Sequence, residues 1–356
     1  MKSDRAMLAT IEQWDANKDL LNTPGGAIDL KTAELRPHSR DEYCTKLAAV
    51  APGGNCPLFH KFLNRVFAGN KDLVAYIQTA FGYCLTGDIR EHAMFFGYGA
   101  GGNGKSVLLS TVAGIMGSYC KTAHQDTFTA TGGTQHPTDV AGLIGARLVI
   151  CGEVEQGRRW AEAKIKSLTG GGRISARFMR QDFFEFTPQF KLFITGNHKP
   201  GLRNIDEAMR RRLHLIPFTV TIPEGERDKR LLAKLRTEWP GILQWMIEGA
   251  VRWHAEGLGK SRAVDEATRE YFETEDTLLA WIEDRCQCDK RHETQATRLF
   301  ASWKAWCELT GEFPGTSKTF GAKLVEHGFE KRHSMIGVMY RGINLLETQR
   351  EAWPEL

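Results

Sequence analysis

Phe95-Phe96-Gly97-Tyr98-Gly99-Ala100-Gly101-Gly102-Asn103-Gly104-Lys105-Ser106 decides the reading of this chain. An apolar run, Ala93 to Phe96, enters the stretch, and a helical pattern, Val107 to Met116, leaves it. Gly99 to Ser106 fits G-x-x-x-x-G-K-[ST], the loop that wraps the phosphates of a nucleoside triphosphate. Glycines let successive N–H groups curl around an anion without Cβ clashes. The helix that follows turns its positive end toward the same anion. Gly99, Ala100, Gly101, Gly102, Asn103 and Gly104 therefore form a candidate phosphate cradle. Lys105 is placed to reach the β- and γ-phosphates, and the Ser106 hydroxyl to take one Mg²⁺ position. A strand before the loop and a helix after it separate this pattern from an ordinary glycine-rich turn. The expected ligands are ATP and Mg²⁺.

Downstream, Leu143 to Cys151 reads as a buried strand running into Gly152-Glu153-Val154-Glu155. An acid just past a buried strand is where nucleotide hydrolases hold Mg²⁺ and polarise a water. Glu153 is the candidate, with Glu155 in reserve. A further strand, Phe190 to Thr195, ends at Gly196-Asn197. The Asn197 amide is a candidate for contact with the γ-phosphate or the attacking water, although an isolated Asn there is commonly a turn residue. Between the two strands, apolar alternation flanks a polar tip from Arg173 to Thr187, a β-hairpin pattern. Charge alone leaves Arg177 and Arg180 as either a solvated tip or a nucleic-acid contact. Arg210-Arg211-Arg212 precedes an apolar strand, Leu213 to Phe218. Three adjacent arginines form a solvated basic face or, in a ring of subunits, supply an arginine finger.

The bulk numbers fit this picture. The chain has 356 residues, 42% hydrophobic and 25% charged, which describes a globular protein of two or three domains. A formal charge of +4 permits a polyanionic partner without requiring one. The eight cysteines lack the spacing of a disulfide framework, so a reducing, cytoplasmic setting is expected. Cys286-x-Cys288 with His292 and Cys307 lacks the second pair of a zinc site. No run approaches a membrane span.

Three domains are expected. Residues 1–85 read as a mostly helical collar, with helical spacing at 59–67 and 73–85 and a turn plus short strand at 21–30. Residues 86–258 form the α/β nucleotide core, closed by a helical lid at 226–258. Residues 259–356 carry helices at about 264–285, 295–309 and 317–327, then two strands at 329–333 and 337–343, the pattern of a winged helix. From 286 to 345 there are nine Lys/Arg against six Asp/Glu, a net of +3, which suits either DNA or a protein partner.

The order of these motifs resembles the superfamily 3 helicases, in particular the C-terminal helicase part of phage, plasmid and poxvirus-type primase–helicases. The resemblance rests on Gly99 to Ser106, Ala146-Arg147-Leu148-Val149-Ile150 into Gly152-Glu153, and Ile165-Lys166-Ser167-Leu168-Thr169-Gly170-Gly171. Asn197, Asp206-Glu207-Ala208 with Arg211-Arg212, and Ile216-Pro217-Phe218 extend it. Outside the core, Asn22 to Leu30 and Phe81 to Thr86 resemble the family's N-terminal helicase-associated domain. The sequence departs at Gly172, where the family usually has Asp, and at Gly152, which supplies no first acid in the second motif.

The resemblance implies an AAA+-like superfamily 3 core with P-loop ATPase chemistry, assembled as a hexameric ring with ATP between subunits. Lys105, Ser106, Glu153 and Asn197 would come from one subunit and Arg211 or Arg212 from its neighbour. Lys166, Arg177 and Arg180 would face single-stranded DNA in the channel through sequence-tolerant contacts. Duplex DNA through the winged helix, and a separate primase or polymerase, are further implied partners. The expected role is a DNA helicase in replication of a phage, plasmid or prophage-like element. The alternatives are an ATP-regulated initiator or loader that does not unwind, and a P-loop kinase, for which no acceptor site is evident.

Overall fold

The structure, a computed structural model, describes residues 9–10, 13–130, 138–202, 206–334 and 337–346. It divides into two compact units, Met1–Glu270 and Tyr271–Leu356.

The first unit opens with three short antiparallel strands, β1 (Leu20–Thr23), β2 (Gly26–Asp29) and β3 (Glu34–Arg36). Helices α1 (Pro57–Val66) and α2 (Lys71–Leu85) follow. Pro57 starts α1, where its missing N–H costs nothing, and the Asn70 side chain caps α2 by accepting from the Leu73 N–H at 3.0 Å. The collar expected to be mostly helical thus contains a sheet as well. The short strand expected within 21–30 is β2, while β1 and β3, four and three residues long, are too short to register as alternation.

Next come β4 (Met94–Tyr98), α3 (Lys105–Met116), β5 (Cys120–Ala123), α4 (Thr138–Ala141), β6 (Leu148–Val154) and α5 (Glu162–Thr169). A hairpin of β7 (Ile174–Ala176) and β8 (Phe184–Phe186) leads to β9 (Lys191–Gly196), α6 (Glu207–Arg210) and β10 (Leu213–Pro217). Helices α7 (Leu231–Arg236) and α8 (Trp239–Glu256) follow, and α9 (Arg262–Thr274) begins in this unit. The strands β10-β4-β9-β6-β5 lie side by side in that order, all parallel. Every residue of β9 is buried, as a central strand covered on both faces requires. The strand expected from residue 143 starts only at Leu148; residues 143–146 are instead a turn, closed by Leu143 N–H to Val140 O and Ala146 N–H to Leu143 O.

One hydrophobic core runs from Leu21 and Ile28 through α1 and α2 to Phe95, Leu108, Phe193 and α8. Residues 20–85 therefore fold onto the sheet rather than around a core of their own. Helices α2 and α8 meet backbone to backbone: a Cβ on Gly82 would lie 2.1 Å from Ala250 N, and one on Gly249 2.1 Å from Gln78 O. Two buried basic side chains tie the C-terminal end of α2 to the strands of the sheet. The Arg147 guanidinium, at the start of β6, donates to Leu85 O (2.7 Å), Leu20 O (2.8 Å) and Asn17 O (3.1 Å), and it lies over the Tyr119 ring. Lys191 Nζ, at the start of β9, donates to Thr86 O and Asp88 O. Both cations bind carbonyls at the negative end of α2, where such charge is favoured.

The second unit contains α10 (Thr277–Arg285), β11 (Cys286–Gln295), α11 (Ala296–Thr310), α12 (Ser317–Glu326), β12 (Glu330–Ser334) and β13 (Gly337–Leu345). Its strands form an antiparallel sheet in the order β11-β13-β12. Trp281, Trp303 and Phe320 pack mutually at the centre of its core, with ring centroids 5.5–5.9 Å apart. The single helix expected over 264–285 is broken at Asp276, whose carboxylate caps α10 by accepting from Leu278 N–H (3.2 Å). Strand β11 was not expected, because Cys286 to Gln295 is mostly polar and exposed. No helix among the described residues is long and apolar enough to cross a membrane.

Candidate functional site

The carboxyl ends of the parallel strands are where an open α/β sheet accepts ligands. Here β4 ends in the glycine loop, β9 in Asn197, and β6 passes Glu153 at its end. The loop is held in shape by residues with left-handed backbones. Gly102 has φ +74° and Gly104, immediately before α3, has φ +87°. A Cβ on Gly104 would lie 2.6 Å from Val66 Cγ1, so both its conformation and its packing against α1 require glycine. Gly101 faces open space. The N–H groups of Gly101, Gly102 and Gly104 have no protein acceptor among the described residues. Directed donors at a helix start are chemically suited to an anion.

Lys105 is buried at the first position of α3, and its Nζ donates to Gly99 O (2.5 Å), Asn103 Oδ1 (3.1 Å) and Asn197 Oδ1 (3.2 Å). Burial pulls its pKa below the ordinary lysine value, partly offset by the Glu153 charge. Asn103 is itself fixed, its amide donating to Phe218 O at 3.2 Å. The other end of Asn197 reaches Glu153, with Nδ2 donating to Oε1 at 3.1 Å. Lys105, Asn197 and Glu153, which are 92 and 44 positions apart in sequence, thus form one hydrogen-bonded chain.

The bulge explains how Glu153 gets there. Pairing of β6 with β9 slips between Cys151 and Glu153, so that Glu153 sits opposite Thr195 and Val154 opposite Gly196. An extra residue in one strand re-aims the side chains beyond it. Gly152 occupies the bulge with open space around it, so the missing first acid leaves room for solvent. Glu155 is engaged elsewhere. Its carboxylate pairs with Arg158 at 2.9 Å, which holds it below the usual carboxylate range. Ser106 is exposed one residue beyond Lys105. Ser106 and Glu153 are both exposed to solvent.

The three arginines of residues 210–212 separate in the structure. Arg211 is exposed. Arg212 is 6% exposed, with Nε donating to Thr169 Oγ1 (3.0 Å) and Nη1 to Ala208 O (2.8 Å), so it braces α5 against α6 within the chain. That geometry does not leave Arg212 free to reach a neighbouring molecule. Lys166 is likewise engaged, in an ion pair with Asp206, the cap of α6. Arg177 and Arg180 project from the β7–β8 hairpin, exposed and without an acidic partner among the described residues. Arg180 has φ +61°, and Arg177 lies over the Phe183 ring at 4.9 Å. Phe183 (59%), Met179 (77%) and Phe178 (40%) are also exposed at this tip, an apolar feature that the charge-based reading passed over.

In the second unit, Cys286 and Cys307 are buried in the core and Cys288 is exposed on β11. Among the described residues no cluster of His, Cys, Asp or Glu is placed to hold a metal ion.

Comparison with known proteins bears on this site. Residues 1–68 match the family described as D5 N terminal like, and residues 97–212 match a family of unknown function, DUF5906. A putative helicase, L207/L206, of Acanthamoeba polyphaga mimivirus is 24% identical over 299 residues, covering 77% of this chain and 31% of that protein. The putative helicase 184R of Invertebrate iridescent virus 6 is 25% identical over 62% of this chain and 25% of its own length. The putative helicase V13 of Sputnik virophage is 26% identical over 45% of this chain and 21% of that protein. The chain therefore spans about a third or less of the length of these relatives. Among solved structures, the apo C-terminal region of NrS-1 has a similar fold, with a TM-score of 0.53 at 14% identity, over 65% of this chain and 54% of that one.

Proposed function

We propose that this chain, a relative of the phage-type primase–helicases, is an ATP-driven DNA helicase of superfamily 3. The observation that carries this reading is the chain Lys105–Asn197–Glu153, assembled from the ends of three adjacent strands beside a loop whose Gly101, Gly102 and Gly104 N–H groups have no protein acceptor among the described residues. In this reading Gly99 to Gly104 cradle the phosphates. Lys105 exchanges its contacts to Gly99 O, Asn103 and Asn197 for β- and γ-phosphate oxygens. Glu153 takes the proton of the attacking water, and Asn197 holds the Glu153 carboxylate in line while sensing the γ-phosphate. Mg²⁺, held by Ser106 and Glu153 with water, supplies charge neutralisation at the phosphates.

Subunits assemble as a ring, most simply a hexamer, with Arg211 as the finger that acts on the neighbouring subunit's nucleotide. An arginine of this kind is worth about 10³–10⁵ in rate. Lys166, paired with Asp206, ties α5 to the start of α6, while Arg177 and Arg180 contact single-stranded DNA. The helix–strand–helix–helix–strand–strand order of residues 277–345 supports a winged helix for duplex DNA, with Lys331, Arg332 and His333 exposed on its wing. Unwinding of a forked DNA substrate tests the proposal. ATP-dependent strand release by the wild type, lost in Lys105→Ala, is expected. DNA binding and ATP binding without strand release would leave a loader instead.

A further inference from the structure

The segment after β10 folds back across the glycine loop and is stitched to it. Phe218 N–H donates to Tyr98 O (2.8 Å), and Ile222 N–H donates to Gly102 O (2.9 Å). Arg227 then turns back over the loop: its Nε donates to Ile222 O at 2.8 Å. Its guanidinium lies so close above Gly102 that a Cβ there would come within 2.4 Å of Nη2. The backbone beneath it is fixed too, with Arg227 N–H donating to Glu224 O (3.1 Å) and Glu226 paired to Arg65 of α1 (2.7 Å).

The nearby acids have other partners, Glu226 with Arg65 and Asp228 with Lys234 at 2.6 Å. Among the described residues no carboxylate pairs with Arg227, and its Nη1 and Nη2 have no protein acceptor. A guanidinium docked by one nitrogen, with the rest of its fork unmatched, sits beside a loop whose own N–H groups are also unmatched. Two sets of donors side by side repel unless an anion lies between them. The planar fork fits two phosphate oxygens.

We infer that Arg227 is a nucleotide-binding residue acting within its own subunit, contacting the phosphate chain of the nucleotide held by the glycine loop. Gly102 must then be glycine because the guanidinium fills the space of a side chain. The inference rests on reading the loop as a triphosphate site, and it assigns Arg227 a role distinct from that of Arg211, which faces a neighbouring subunit in that reading.

Calorimetric titration of the full chain with Mg-ADP, Mg-ATP and AMP tests it. Arg227→Ala should weaken ADP and ATP by about tenfold or more, the size of a lost charge-assisted contact, and AMP less than twofold. Arg227→Lys should recover part of the loss. Because the side chain is exposed, the nucleotide-free variants should melt with the wild type. Unchanged ADP affinity in Arg227→Ala, or an equal loss for AMP, would overturn the inference while leaving the loop's role standing. A wild type that binds no ADP would sink both.

Discussion

Asn197 is the residue whose removal separates binding from turnover. Its amide oxygen accepts from Lys105 at 3.2 Å and its amide nitrogen donates to Glu153 at 3.1 Å. In Asn197→Ala, Lys105 keeps two acceptors, Gly99 O and Asn103 Oδ1, so the lysine stays in place and nucleotide affinity should change less than threefold. Glu153 loses the hydrogen bond that orients it. A hydrogen bond to a charged group is worth about 1.5–3 kcal/mol. Glu153 is exposed, so screening puts the effect near the lower end. About 1.5–2 kcal/mol corresponds to a kcat lower by roughly 10–30-fold. Asn197→Asp keeps the acceptor for Lys105 but sets a carboxylate against Glu153, so its loss should be at least as large. Phosphate release at saturating ATP reads kcat, and a fluorescent ATP analogue reads affinity. A kcat within twofold of wild type for Asn197→Ala would refute the role of the bridge. An equal fall in affinity and turnover would show instead that Asn197 only holds the loop together.

Three further perturbations follow from named contacts. Arg211→Ala should leave ATP binding intact and cut hydrolysis at least a hundredfold, whereas Arg212→Ala, which unbraces α5 from α6, should lower the melting temperature; wild-type turnover in Arg211→Ala removes the finger assignment. Arg147→Leu strips three carbonyls of their buried donor and should cost about 3–5 kcal/mol, roughly 6–20 °C in melting temperature, with a fall under 2 °C contradicting the buried clasp. His214, hydrogen-bonded to Tyr76 and pushed down to about 4 by burial, stays neutral in the fold while the unfolded chain takes up its proton below about 6.5. Stability should therefore fall as pH drops from about 6.5 to about 4, by about 3 kcal/mol in all, and urea midpoints across that range should lose the corresponding slope in His214→Phe.

The glycine loop, its flanking strand and helix, and the order of the acid and the Asn were legible because each depends on local pattern. Gly104 before Lys105, the apolar run of β9 and the helically spaced apolar residues of α1 and α2 all announce themselves within a few residues. What stayed hidden depends on contacts between distant residues. Short strands such as β5 are half exposed, and β11 alternates poorly because its sheet covers only one side of a small core. Arg211 and Arg212 are neighbours in sequence, and only packing against Thr169 distinguishes the exposed one from the buried one. Arg227 lies more than a hundred positions beyond the loop it covers. No spacing rule links it to Gly102.

The most direct test of the account is steady-state ATP hydrolysis by the full chain, with and without single-stranded DNA, for wild type and Lys105→Ala. The account predicts measurable hydrolysis that rises when single-stranded DNA is added, and its loss in Lys105→Ala at unchanged melting temperature. A wild type that hydrolyses no ATP in either condition, or a Lys105→Ala protein that hydrolyses it at the wild-type rate, would contradict the claim that the glycine loop powers a motor.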